Sequence, residues 1–311
     1  MKTETRYTGL FAAAFTPMQE DGSLNLTRIP SIVDYLIEAG ISGLYICGAT
    51  GEGPSLSSEE RRAVAAAYMK AAAGRLTVIV QIGHNSLTEA RGLASHAESI
   101  GADAISAMPP LCYKFTSVKT LIDCLAHNAG AAPTLPLFYY HIPSVTSMNF
   151  DMVEFLREGG RRLPNLAGLK YTHSALDEYQ TCLQLDNQRF QILFGRDEML
   201  LAALAVGAKG AIGSTYNLAG PLYRKVIAAF ERGDLNEARK CQSLAIEMIR
   251  VCYRYHGLPA FKAMMKLLGQ DCGPNRLPLE TLTPDEIKAL KQELDDIGFF
   301  DWALPQKEPA D

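Results

Sequence analysis

Residues 38–48 read EAGISGLYICG, residues 99–108 read SIGADAISAM and residues 205–214 read AVGAKGAIGS. All three share one grammar: a helix end, a glycine that can close it, two or three residues, then a short apolar run. Working outward gives eight such runs, at 10–15, 43–47, 76–82, 104–108, 137–140, 167–170, 191–194 and 210–213, starting roughly 20–33 residues apart. Stretches with helical periodicity lie between them, for example 29–39, 57–73, 87–100 and 199–206. The runs are apolar on both faces, as in a parallel sheet covered by helices. Eight βα units in series predict an α/β fold of the (β/α)8 TIM-barrel type. The rival is an open doubly wound sheet, which needs a GxGxxG turn after the first strand; this chain has none.

At about 150 residues per domain, 311 residues would make two domains, but α/β barrels run to ~250 residues as one unit. After residue 217 come about 95 more, with helical patterns at 221–232, 234–255, 259–268 and 284–296. The expected organisation is a barrel over 1–217 that carries the active site, with a C-terminal helical extension over 218–311 in the same structural unit. In the extension Leu235, Ala238, Cys241, Leu244, Met248 and Cys252 form a stripe that must pack on the barrel or on another subunit. The tail after Trp302, ALPQKEPAD, reads as frayed.

Hydrophobic residues are 48%, charged residues 21%, and the net charge is −4. That excludes disordered and collagen-like chains. Without basic runs, nucleic acid and anionic membranes are poor partners. No apolar run approaches the ~18 residues of a membrane span. The apolar start at 9–15 is too short for a secretory signal and reads as the first strand. Seven dispersed Cys without a CxxC fit a reducing compartment, so a cytoplasmic location is expected. Six scattered His without HExxH or HxH spacing argue against a dedicated zinc site, so no metal is expected.

Barrel active sites lie at the C-terminal ends of the strands. Lys170 closes an apolar run, and an ammonium aimed into a barrel is costly, so its pKa should fall. A neutral amine there can form a Schiff base with a carbonyl substrate; a lysine snorkelling at a strand end is the other reading. Tyr140 ends the neighbouring run and can relay protons, or simply fill the core. The glycine-rich turn after the second run, GATGEG, offers backbone N–H groups and the Thr50 hydroxyl to a carboxylate, and lacks the GK[ST] ending of a nucleotide loop. Asp197 and Glu198 can accept hydrogen bonds from sugar hydroxyls, or sit as favoured charges at a helix start.

GATGEG, YYHIP, GLKYT, FGRDE and GAIGSTYN follow one another in order at barrel-like spacing. Together they resemble the dihydrodipicolinate synthase and N-acetylneuraminate lyase superfamily of class I aldolases, over about residues 9–276. FGRDE, IGSTYN and LPLFYYHIP are most similar to its sialic-acid-cleaving branch. The resemblance implies Lys170 as Schiff-base lysine and Tyr140 as proton shuttle. It implies Thr50 and Gly51 as the carboxylate site, and Thr172, Gly195, Asp197, Glu198 and Ser214 as contacts to a hydroxylated tail. Tyr113 matches a tyrosine at the site mouth that in some members reaches into a neighbouring subunit. No metal or other cofactor is implied; the partners implied are a sugar acid or pyruvate and a homotetramer.

Two departures from the pattern stand out. Ala49 takes a position that is usually Ser or Thr, removing one hydroxyl of the relay. Val145 stands where dihydrodipicolinate synthases carry a carboxylate-gripping Arg, which argues for a neutral polyol tail. The expected reaction is cleavage of N-acetylneuraminate to pyruvate and N-acetylmannosamine. Ala49 keeps two alternatives open: an aldolase or dehydratase acting on 2-keto-3-deoxy sugar acids, and a barrel that binds a sugar acid without turnover.

Overall fold

The computed structural model describes residues 7–304. The signal reading at the N-terminus touches residues 1–6, and most of the tail, 305–311, also lies outside the described residues. Eight parallel strands close into a barrel in sequence order: β1 (Gly9–Ala13), β2 (Gly43–Ile46), β3 (Thr77–Gln81), β4 (Ala104–Ala107), β5 (Leu137–His141), β6 (Leu166–Tyr171), β7 (Gln191–Phe194) and β8 (Gly210–Gly213). β1 pairs with β8 to complete the ring. Each strand lies within two residues of its expected ends.

The covering helices are α1 (Ile29–Glu38), α2 (Ser58–Ala72), α3 (Leu87–Ser99), α4 (Val118–Ala129), the single turn α5 (Pro143–Thr146), α6 (Met152–Arg162), α7 (Leu176–Gln184), α8 (Leu200–Ala205) and α9 (Tyr216–Glu231). Their ends follow local chemistry. Ser57 and Glu60 form a reciprocal capping box on α2, and Ser86, Ser117 and Asp151 cap α3, α4 and α6. The three glycines of the repeated grammar, Gly40, Gly101 and Gly207, all take positive φ and turn the chain from helix to strand.

The extension adds α10 (Leu235–Arg254), α11 (Leu258–Leu267), α12 (Pro284–Asp296) and α13 (Phe299–Ala303). The eighth barrel helix, α9, begins before the division drawn at residue 217 and kinks at Ala219, two residues ahead of Pro221. Ala303, in the stretch expected to fray, is buried in α13. Of the α10 stripe, Ala238, Cys241, Met248 and Cys252 are buried within this chain, mainly against α9, while Leu235 is exposed. Among the described residues no helix is long and apolar enough to cross a membrane.

Apolar residues fall into two layers. The larger lies between strands and helices; the smaller fills the barrel with Phe11, Tyr45, Ile79, Phe138, Tyr140, Leu193 and Ile212. A bulge in β6 matters for the site. Leu137 pairs with Leu166, but Phe138 already pairs with Gly168, so β6 carries one extra residue. Ala167 packs on the interior cluster while Leu169 and Tyr171 face the helices, which leaves Lys170 directed inward. Gly168 is required there: a Cβ would lie 1.8 Å from the Gln191 carbonyl oxygen.

Candidate active site

Lys170 rises from β6 into the mouth of the barrel and is 5% exposed. Its Nζ sits 3.8 Å from the ring centre of Tyr45 and 4.1 Å from that of Tyr140, its partner in register on β5. It makes no ion pair among the described residues. Burial brings its pKa from 10.5 to about 7, against the pull of nearby Asp197, which favours the charged form. A large fraction is therefore free amine at neutral pH, set between aromatic faces. Burial also pushes the Tyr140 phenol up to about 12, so it stands ready as a proton donor. The Thr172 hydroxyl lies close enough to ease that shift, yet makes no well-formed hydrogen bond.

The loop after β2 is held open by left-handed residues at Cys47 and Glu52. Its turn closes through Glu52 N–H to the Ala49 carbonyl and Gly53 N–H to the Gly48 carbonyl. The amides of Thr50 and Gly51 have no acceptor among the described residues, which suits them to a carboxylate. Thr16, three residues past β1, donates to the Gly51 carbonyl at 2.6 Å and ties the two loops together. Thr50 is buried, and its hydroxyl lies 2.6 Å from that of Ser214 beyond β8, so carboxylate and tail contacts adjoin. Ala49 is exposed, and Val145 on α5 is 54% exposed.

At the end of β7 the Gly195 N–H is used in the sheet, donating to the Tyr171 carbonyl, so only its carbonyl is free to meet a hydroxyl. Asp197 is buried. It accepts from the Thr215 amide at 2.9 Å and the Thr215 hydroxyl at 2.6 Å, and a second oxygen abuts Gly213, where a Cβ would lie 1.8 Å away. Burial raises its carboxyl to about 6. Glu198 stays half-buried, paired with Arg196 at 2.7 Å.

Thus Lys170, Tyr140, Thr50, Gly51, Thr172, Gly195, Asp197, Glu198 and Ser214 all lie at the C-terminal ends of β2, β5, β6, β7 and β8. Tyr113, on the loop after β4, is 83% exposed. Sequence reasoning missed Tyr45, whose ring covers the amine; the structure puts Tyr45 in the barrel interior and Leu44 and Ile46 against the helices, but all three are apolar, so the sequence does not mark which face points inward. It also missed two anchors from the extension. Gln242 on α10 donates to the Asp197 carbonyl and accepts from the Leu201 amide. Lys262 on α11 pairs at 2.6 Å with Glu52, both side chains almost wholly buried, while the Arg276 amide donates to the same carboxylate. No short motif announces contacts separated by so many residues.

The family model for the "Dihydrodipicolinate synthetase family" matches residues 6–297. An N-acetylneuraminate lyase of Xenopus tropicalis is 42% identical over 278 residues, 88% of this chain and 91% of the relative. The solved N-acetylneuraminate lyase of Aliivibrio salmonicida superposes with a TM-score of 0.92 at 38% identity, covering 95% of this chain and 98% of that one. A catalytic lysine mutant of the Ruminococcus gnavus sialic acid aldolase superposes with a TM-score of 0.91 at 28% identity, over 98% and 100% of the two chains.

Proposed function

The chain belongs to the dihydrodipicolinate synthetase family, and from that membership we propose that it is a class I aldolase that cleaves N-acetylneuraminate to pyruvate and N-acetylmannosamine. The observation that carries this reading is the Lys170 amine, buried between the rings of Tyr45 and Tyr140 with its pKa brought near 7.

Neutral Lys170 attacks the C2 ketone of the open-chain sugar acid. Tyr140 gives its phenolic proton to the departing hydroxyl, so water leaves and an iminium forms. The Tyr140 phenolate so formed takes the C4 hydroxyl proton, and the C3–C4 electron pair moves toward the iminium nitrogen. N-acetylmannosamine departs as the aldehyde. The enamine left on Lys170 takes a proton at C3, and water releases pyruvate and the amine. The iminium is the electron sink, so the carbon chemistry needs no cofactor.

The amides of Thr50 and Gly51 hold the substrate carboxylate and fix the pyruvyl half for attack. Thr172, the Gly195 carbonyl, Asp197, Glu198 and Ser214 receive the hydroxylated tail. Val145 supplies no guanidinium for a second carboxylate, which favours a neutral tail over a carboxylate-bearing aldehyde. Thr50 and Ser214, bonded to each other, offer a hydroxyl pair where Ala49 offers none. The exposure of Tyr113 fits a ring that completes a neighbouring subunit's site in a homotetramer. Dispersed free thiols fit a cytoplasmic enzyme.

Borohydride trapping with pyruvate tests the reading. Wild type should gain a reduced pyruvyl adduct that maps to Lys170, and Lys170→Ala should gain none. An adduct on another residue, or full cleavage of N-acetylneuraminate by the variant, would overturn it. Comparison with 2-keto-3-deoxygluconate as substrate measures the preference for the longer, N-acetylated tail.

A further inference from the structure

Behind the strand ends that carry Tyr140 and Lys170 lies a second polar cluster, on the helix side of the sheet. His141, the last residue of β5, is fully buried, yet among the described residues neither ring nitrogen has a hydrogen-bond partner. His173, just beyond β6, leaves its buried Nδ1 equally unpartnered. The two rings meet edge to face with centres 5.7 Å apart. Glu178 on α7 completes the group: one donor atom from each residue can be chosen so that all lie within 4.8 Å of one another.

Leaving such atoms unpaired costs about 1–3 kcal/mol each, so something must satisfy them. A neutral imidazole presents a lone pair, which suits a cation. We propose that His141, His173 and Glu178 bind one divalent cation of the zinc class.

The donor set fits. Two imidazoles and one carboxylate are a known zinc combination, with water in the fourth position. Tetrahedral bonds of about 2.1 Å bring the donors to about 3.4 Å from one another, so loading draws the three side chains inward. The carboxylate is already oriented, accepting from the Tyr171 hydroxyl at 2.6 Å and the Met152 amide at 3.0 Å. His173 and Glu178 are partly exposed, which gives the ion a way in from the helix side. The sequence lacked any local metal motif because the donors come from β5, the segment after β6 and α7. The cation ties the exits of β5 and β6 together from outside. It takes no part in the aldolase chemistry, and the inference stands independently of that reading.

Chelator-stripped protein titrated calorimetrically with zinc chloride should bind one ion per chain, and thermal unfolding should shift upward. Cobalt substitution should give visible d–d bands of a tetrahedral site without a thiolate charge-transfer band. His173→Ala and, separately, Glu178→Gln, both at partly exposed positions, should each weaken zinc binding at least about a hundredfold. Stripped wild type should still form the borohydride-trapped pyruvate adduct. Absence of stoichiometric binding, affinity unchanged in both variants, or a thiolate band would overturn the site. Loss of the adduct on stripping would overturn its placement outside the chemistry.

Discussion

Lys170 Nζ faces two aromatic rings and no carboxylate partner, and that enclosure should be measurable as a stability cost. The unfolded chain titrates near 10.5 and the folded one near 7. Between those values the unfolded chain binds more protons, so stability rises with pH across that window. Below it the folded protein carries the whole penalty of a buried ammonium, up to about 5 kcal/mol. Lys170→Met removes the penalty. Urea unfolding should place the variant several kcal/mol ahead of wild type at pH 6.5, with the gap narrowing by pH 10. A gap that ignores pH would mean a solvated amine. The same titration makes kcat/KM fall as pH drops through 7. Glu198 gives a second test. Its side chain pairs with Arg196 rather than with the amine, so Glu198→Gln should raise KM for N-acetylneuraminate about tenfold while pyruvate trapping stays intact. Equal damage to both would remove Glu198 from the tail subsite. Lys170 was legible in the sequence because a cation ending an apolar run conflicts with its surroundings. Tyr45 was not singled out, since an aromatic in a strand has an ordinary packing explanation.

The loops after β2 and β7 carry Thr50, Gly51, Asp197 and Glu198, and helices of the extension bond to these loops. Gln242 on α10 satisfies the backbone at Asp197, and Lys262 on α11 neutralises Glu52 at a left-handed turn. Arg276 adds paired hydrogen bonds to Glu60 at the start of α2. Lys262→Met leaves a buried carboxylate unpaired, which costs about 3–5 kcal/mol. Denaturant unfolding should register that loss, and KM for pyruvate should rise more than kcat falls. The double variant Lys262→Met with Glu52→Gln should recover part of the stability, since the stranded charge is gone. Strand positions could be read from apolar runs because each βα unit repeats one local grammar. The bulge in β6 could not, because it depends on how Gly168 meets Gln191 across the sheet.

At the scale of the molecule, one barrel and its helical extension form a shared core, with α10 packed along α9. Tyr113, Val145, Tyr253 and Leu277 are the most exposed large apolar side chains among the described residues. If Tyr113 seals a neighbour's site, sedimentation should report four copies, and Tyr113→Ala should lower kcat/KM without changing the borohydride-labelled residue. A monomer with full activity would remove the subunit contact. The closed barrel was legible from strand count and spacing. Assembly was not, because most of α10's stripe is consumed inside the chain, and the exposed Leu235, Ile246 and Tyr253 of the same helix carry no motif that names what covers them.

The Lys262–Glu52 pair also sets an order of events during synthesis. The ribosome releases every strand of the barrel, Lys170 included, well before it releases the cation that steadies the β2 turn. A nascent chain can therefore close its ring of strands while the β2 turn still lacks its buried cation. Competence for turnover should appear late in translation, as a step separate from barrel closure.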